Sequence, residues 1–252
     1  MQLLGLLAVA VAAVQAALAP APFGTILGVT DGGVDVYSCQ LPDGTEALDM
    51  DPNYVDGVYT GVRWQCVELA RRYLYVNFGV VFGSVDYAFE IFDLSTFERV
   101  ATKTPVAIAK IKNGASTPPA HGALLIWSPY GEMAETGHVA VVVNVTDTHV
   151  DVVEQNVEDT VWPKGQGYSR RLKAHRNATS FFIEKWYKEE EIIGWVAIDS
   201  SATAALDAAP VAGSSGVWLV AGFVIVVGAT GVVVNRFRSA RKSRYDQYDA
   251  VK

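Results

Sequence analysis

A thiol, an imidazole and a carboxylate occur in this 252-residue chain where they could act as one unit: Cys66, His138 and Glu154. A thiolate is a strong nucleophile, and an imidazole can take and return a proton near neutral pH. A carboxylate beside that imidazole holds its orientation and stabilises its cation. Together they would suit attack on the carbonyl carbon of an amide.

Cys66 lies in the first turn of an expected helix, Trp64 to Phe78 (WQCVELARRYLYVNF). Val67, Leu69, Ala70, Leu74 and Phe78 recur at helical spacing there, and Gly79 can end the helix. At a helix start the macrodipole favours a thiolate; Arg71 and Arg72 lie further along the same helix. The other cysteine, Cys39, sits in the turn-rich segment Tyr37 to Pro42 without such help. Two cysteines also fit a disulfide in an exported protein, and Cys66 also fits a small buried hydrophobe. Spacing alone leaves all three readings open.

His138 opens a Val-rich strand, His138 to Val145, and the next, Val150 to Asn156, contains Glu154. A hairpin closing through Asn144 to Thr148 would pair Val143 with His149. Glu154 would then lie directly opposite His138 on the same face, with β-carbons about 4.5–5.5 Å apart. A slip of one residue would turn the carboxylate to the other face. A glutamate among valines needs such a partner. His121, His138, His149 and His175 show no HExxH or CxxC spacing, and no Gly-rich phosphate loop occurs. No metal and no cofactor are expected.

The elements that must hold these groups are one helix followed by strands. After Pro118-Pro119 comes an apolar run, Ala123 to Trp127, and Ile192 to Ile198 reads as a last strand. The rest of Tyr168 to Trp195 mixes basic, aromatic and acidic residues and is left unassigned. Helix first and strands later describe an α+β layer arrangement, not alternating βαβ units.

Four ordered blocks carry a resemblance: Trp64-Gln65-Cys66-Val67-Glu68-Leu69-Ala70-Arg71-Arg72, Gly122-Ala123-Leu124-Leu125-Ile126-Trp127, Thr136-Gly137-His138-Val139-Ala140 and Glu154-Gln155-Asn156. They closely resemble the CHAP family of cysteine, histidine-dependent amidohydrolases and peptidases. More narrowly, they resemble the amidase halves of glutathionylspermidine synthetase/amidase and trypanothione synthetase/amidase. The likeness runs from about Ala21 to Trp195. It implies a papain-like α+β fold of the NlpC/P60 type, with Cys66 as nucleophile, His138 as base and Glu154 as third member. It also implies contacts of Arg71 and Asn156 with substrate, and a small amide substrate carrying a cationic polyamine. The large synthetase part of those enzymes is not in this sequence, so hydrolysis without resynthesis is the expectation. Peptidoglycan cleavage, or a catalytically inactive membrane-tethered binding module, are the alternatives.

The ends suggest export. Residues 1–19 are uncharged and end in small residues, as a signal peptide does. The CHAP domain would occupy 22–199, and 200–216 (SSATAALDAAPVAGSSG) would form a flexible linker. Val217 to Val234 is 18 residues without a charge, roughly 27 Å as a helix, and the basic tail 235–252 follows. A single-pass type I membrane protein with a luminal or extracellular domain is expected. From Arg236 on, six Lys/Arg and two Asp give the tail +4; the whole chain is −7, so the rest carries −11. Such a domain disfavours nucleic acid and favours cationic ligands. Asn144 and Asn177 head glycosylation sequons, with Asn144 on the expected hairpin loop.

Overall fold

The computed structural model describes residues 20–45 and 51–199. The expected leader, linker, membrane helix and tail lie outside the described residues, among which no helix is long and apolar enough to cross a membrane.

Four short strands precede the helix, where none was expected: β1 (Ile26–Val29), β2 (Asp35–Tyr37), β3 (Pro52–Val55) and β4 (Val58–Val62). They form two hairpins, β1 with β2 and β3 with β4. The helix α1 (Cys66–Phe78) ends at Gly79, whose φ of 65° is the left-handed geometry that glycine adopts without strain. Its burial differs from the expected stripe. Glu68, Arg71 and Arg72 are buried together with Leu69, Ala70, Tyr73 and Leu74, whereas Phe78 is exposed. Both sides of the helix are covered, so its charged residues must find partners inside.

Beyond α1 the chain builds β5 (Val80–Val81), β6 (Thr96–Arg99), β7 (Thr104–Lys112), β8 (Leu124–Trp127), β9 (His138–Val145), β10 (His149–Val153), β11 (Arg170–Arg176), β12 (Phe181–Ile183) and β13 (Ile192–Ile198). These nine form one sheet in the order β12-β11-β10-β9-β8-β13-β7-β6-β5. Helix and antiparallel sheet fit the expected α+β class. The strands at 138–145 and 192–198 fall where the residue pattern put them, β8 begins one residue after the expected Ala123, and the unassigned stretch supplies β11 and β12.

Alternation along β8 shows how the sheet divides the interior. Leu124 and Ile126 join the core beneath α1, with Leu69, Leu74, Val139, Val141 and Val153. Leu125 and Trp127 join a second core on the other face, with Ala140, Val142, Leu172 and Trp195. The sheet is therefore apolar on both faces.

The β9–β10 register departs from the expected one. The turn is three residues, Thr146 to Thr148, with Val145 paired to Val150 and Asn144 to Asp151. A bulge follows, and beyond it Val152 pairs with Val142 and Val153 with Val141. Continued unbroken from the turn, the pairing would bring Glu154 opposite Val141, on the wrong face for His138. The extra residue, Val143, moves it opposite Ala140, so that His138 is its diagonal neighbour on the same face. The expected pairing was thus wrong by two residues, and an even error preserves the face.

Candidate functional site

Cys66 is the first residue of α1, and the helix start is carried into place by β4. A Cβ on Gly61 would come within 2.9 Å of the Glu68 Cα, so strand and helix touch backbone to backbone there. Glu68 anchors the contact. Its carboxylate accepts from Asn53 Nδ2 at 2.9 Å, the Thr60 hydroxyl at 2.9 Å and Arg72 Nε at 2.7 Å. Gln155 Nε2 joins them at 3.2 Å and also donates to the Gln65 carbonyl. Gln155 Oε1 accepts from Tyr37 N–H and Arg72 Nη2. This buried network ties the end of β10 to the start of α1, holding the residue beside Glu154 against the residue beside Cys66.

His138, buried, places Nε2 2.9 Å from Glu154 Oε2. That leaves Nδ1 for Cys66, with which the ring is hydrogen-bonded. Burial pushes the Cys66 thiol up, but the charge and hydrogen bond of His138 and the N–H groups of Val139 and Val67 outweigh it, so the thiol ionises below its ordinary range. Burial opposes the His138 cation; the Cys66 thiolate and Glu154 more than offset this and raise the imidazole to about 9. Glu154 is likewise resisted by burial, yet Arg170 and His138 bring its carboxyl down to about 2. The favoured state is a thiolate–imidazolium pair backed by a carboxylate.

Cys39 is a different thiol. Both cysteines are free and buried, so they are not bridged. Burial pushes Cys39 up to about 12, and its sulfur accepts from Gln65 Nε2 at 2.9 Å.

The three groups meet at a cleft of about 260 Å³ lined by Cys66, Val67, His138, Gly137 and Asn156, with Asp86 and Glu132 also on its walls. Gln65, the N-cap, makes no side-chain cap to the helix, and the Val67 N–H of its first turn points to the Cys66 sulfur. Asn156 donates to Gln65 Oε1 at 3.2 Å and borders the cleft. Arg71 does not. Its guanidinium donates to the Phe82 and Gly83 carbonyls and lies over the Phe82 ring, which fixes the chain after α1. A larger hollow of about 730 Å³, between β12, β13 and residues 184–191, contains no thiol.

Asn144 lies within β9 rather than on the hairpin loop, and its Nδ2 donates to Asp151 at 3.0 Å. Asn177 is in the exposed turn after β11, accepting from Thr179. Among the described residues no cluster of metal-ligating side chains occurs.

The residue pattern missed Gln65, Gln155 and Arg170 as site-building residues. In Arg170–Arg176 alternate residues are buried and the first inward position is an arginine, which the structure shows and the residue pattern does not. An inward arginine requires a buried acid opposite it.

Residues 57–156 match the CHAP domain family. Over 180 residues, 70% of its length, the chain is 38% identical to the bifunctional glutathionylspermidine synthetase/amidase of Escherichia coli (strain K12). It is 29% identical over 179 residues to the trypanothione synthetase of Crithidia fasciculata, and 31% identical over 204 residues to the glutathionylspermidine synthase of the same organism. The chain spans less than a third of each: 29%, 26% and 27% of their lengths.

Proposed function

From the premise that residues 57–156 carry a CHAP domain, we propose that this chain is a thiol-dependent amide hydrolase acting on glutathionylspermidine-like amides. The observation that carries this reading is the continuous contact from Cys66 through His138 to Glu154 at a cleft. The similarity to a glutathionylspermidine synthetase/amidase supports this choice of substrate class. Asp86 and Glu132 on the cleft wall suit a polyamine arm.

In this mechanism the Cys66 thiolate forms a bond to the amide carbonyl carbon. The developing oxyanion is stabilised by N–H groups at the start of α1, which Gln65 leaves without a side-chain cap. His138 gives its Nδ1 proton to the departing amine as the C–N bond breaks, leaving a thioester on Cys66. The neutral imidazole then takes a proton from water, whose oxygen attacks the thioester carbonyl and releases the acid and the thiolate. Glu154 keeps Nε2–H engaged throughout. We place this activity on the exoplasmic side of a membrane, on the strength of the two apolar terminal segments.

The test is to incubate the full-length chain with glutathionylspermidine and, separately, with cell-wall fragments, and to identify products by mass spectrometry. Release of glutathione and spermidine, abolished in Cys66→Ala, is expected. Cleavage of cell-wall fragments alone would replace the substrate; turnover by Cys66→Ala would end the mechanism.

A further inference from the structure

Glu154 is held from two sides, and His138 is only one of them. Arg170, the first residue of β11, donates Nε to Oε1 at 2.5 Å and Nη2 to Oε2 at 2.8 Å. Because Val152 pairs with Arg170, that guanidinium rises from the strand next to the one that delivers the acid. It is 3% exposed and lies against the rings of Trp127, Trp186 and Tyr187, all within 6 Å of its carbon. Caged in this way, the guanidinium has little freedom to turn, and a two-pronged fork fixes the plane of the carboxylate it grips. Oε2 is shared between Arg170 Nη2 and His138 Nε2, so the orientation of the imidazole follows from that of the guanidinium.

We propose that Arg170 is the positioning residue of this site: clamping both oxygens of Glu154, it keeps the acid ionised and aims Oε2 at His138 Nε2, so that Nδ1 faces Cys66. This rests on the nucleophile reading given above. Arg170 does not touch substrate.

The charged and titratable groups around the pair come from every element packed there. Cys66 faces His138 from α1, His138 faces Glu154 from β9, and Tyr187 and Glu190 face Arg170 from the segment before β13. Charge therefore alternates along the row: thiolate, imidazolium, carboxylate, guanidinium and the Glu190 carboxylate. Removal of the guanidinium would leave Glu154 buried against a single cation it shares with the thiolate. Its proton would then compete with the imidazolium, and the thiolate would form only at higher pH. The neighbouring Arg171 makes the same two-pronged grip on Asp151, at 2.6 and 2.9 Å, but on the half-exposed side of the strand and away from the site. It provides a matched control.

The readout is the rate of Cys66 alkylation by iodoacetamide against pH in the full-length chain, followed by mass spectrometry. In Arg170→Gln the acid limb is expected to move to higher pH, by less than the roughly one to three units by which an adjacent guanidinium lowers a carboxyl, because Cys66 feels the change only through Glu154 and His138. Arg171→Gln should leave it in place. Arg170→Lys, which keeps a cation but not the fork, should move it less and in the same direction. If Arg170→Gln fails to fold, Arg170→Lys decides, and a limb coincident with the wild type overturns the proposal. With Glu154→Gln already present, Arg170→Gln should move the limb no further; an additional shift would mean that Arg170 acts other than through Glu154. A wild-type limb at low pH that Arg170→Gln leaves unmoved refutes the positioning role alone. A wild-type Cys66 that reacts as an ordinary thiol refutes the nucleophile reading and this proposal with it.

Discussion

Glu68→Gln should cost this domain far more than an isosteric exchange normally does. Five donors converge on the Glu68 carboxylate: Asn53 Nδ2, the Thr60 hydroxyl and Arg72 Nε on Oε1, and Arg72 Nη2 and Gln155 Nε2 on Oε2. The side chain is wholly buried, so water cannot replace a lost acceptor. A glutamine has one oxygen. Whichever way its amide turns, at least two donors face an NH₂ group, and the Arg72 guanidinium loses its counter-charge. Each orphaned buried donor costs about 1–3 kcal/mol, and breaking a buried ion pair from one side costs about 3–5 kcal/mol. Arg72 keeps the Asp35 carbonyl and the Tyr37 and Trp64 rings, which holds the total near the lower figure. At about 2–4 °C per kcal/mol for a domain of this size, the melting temperature should fall by roughly 10 °C. Glu98→Gln, which removes an exposed pair with Lys103, is the comparison and should change it by less than about 2 °C. Thermal unfolding followed by circular dichroism measures both. A Glu68→Gln melting point within about 3 °C of wild type would show that the donors find other acceptors and that this network does not hold the helix start.

Three further outcomes follow from the same geometry. The Glu154 carboxyl, brought down to about 2, contributes stability that is fully present above its ordinary value and is lost as pH falls through about 2. Urea unfolding should therefore show Glu154→Gln less stable than wild type by about 3 kcal/mol at pH 6, the gap closing toward pH 2; a gap independent of pH would refute this. Gly137→Ala places a Cβ 2.6 Å from the Trp127 carbonyl at a φ of 62°, directly before His138. It should lower product formation at least tenfold while Cys66 still alkylates, and unchanged turnover would show that the turn is not rigid. Cys39→Ser should leave the alkylation profile at pH 6–7 unchanged, because burial keeps Cys39 a thiol up to about 12; a halved stoichiometry would show two reactive sulfurs.

Residue types and periodicity were enough to read the helix that begins at the cysteine and the Val-rich strands after it, whereas the roles of Cys66, His138 and Glu154 came from the resemblance. Helix and strands rest on local properties: a 3.6-residue stripe, a glycine that ends a helix and runs of β-branched residues declare themselves within a few positions. The register of β9 on β10 was not legible, because it depends on a shorter turn and one bulged residue, Val143, whose two deviations combine to return Glu154 to the face of His138. The grip of Arg170 on Glu154 and the convergence of Asn53, Thr60, Arg72 and Gln155 on Glu68 were equally hidden. Arg71 and Arg72 show why: adjacent and alike in the sequence, one holds the loop after the helix and the other pairs with the helix's own acid. Sequence determined which groups were available for the chemistry. Only tertiary structure decided which of them meet, because a buried charge takes its partner from whatever strand the packing brings beside it.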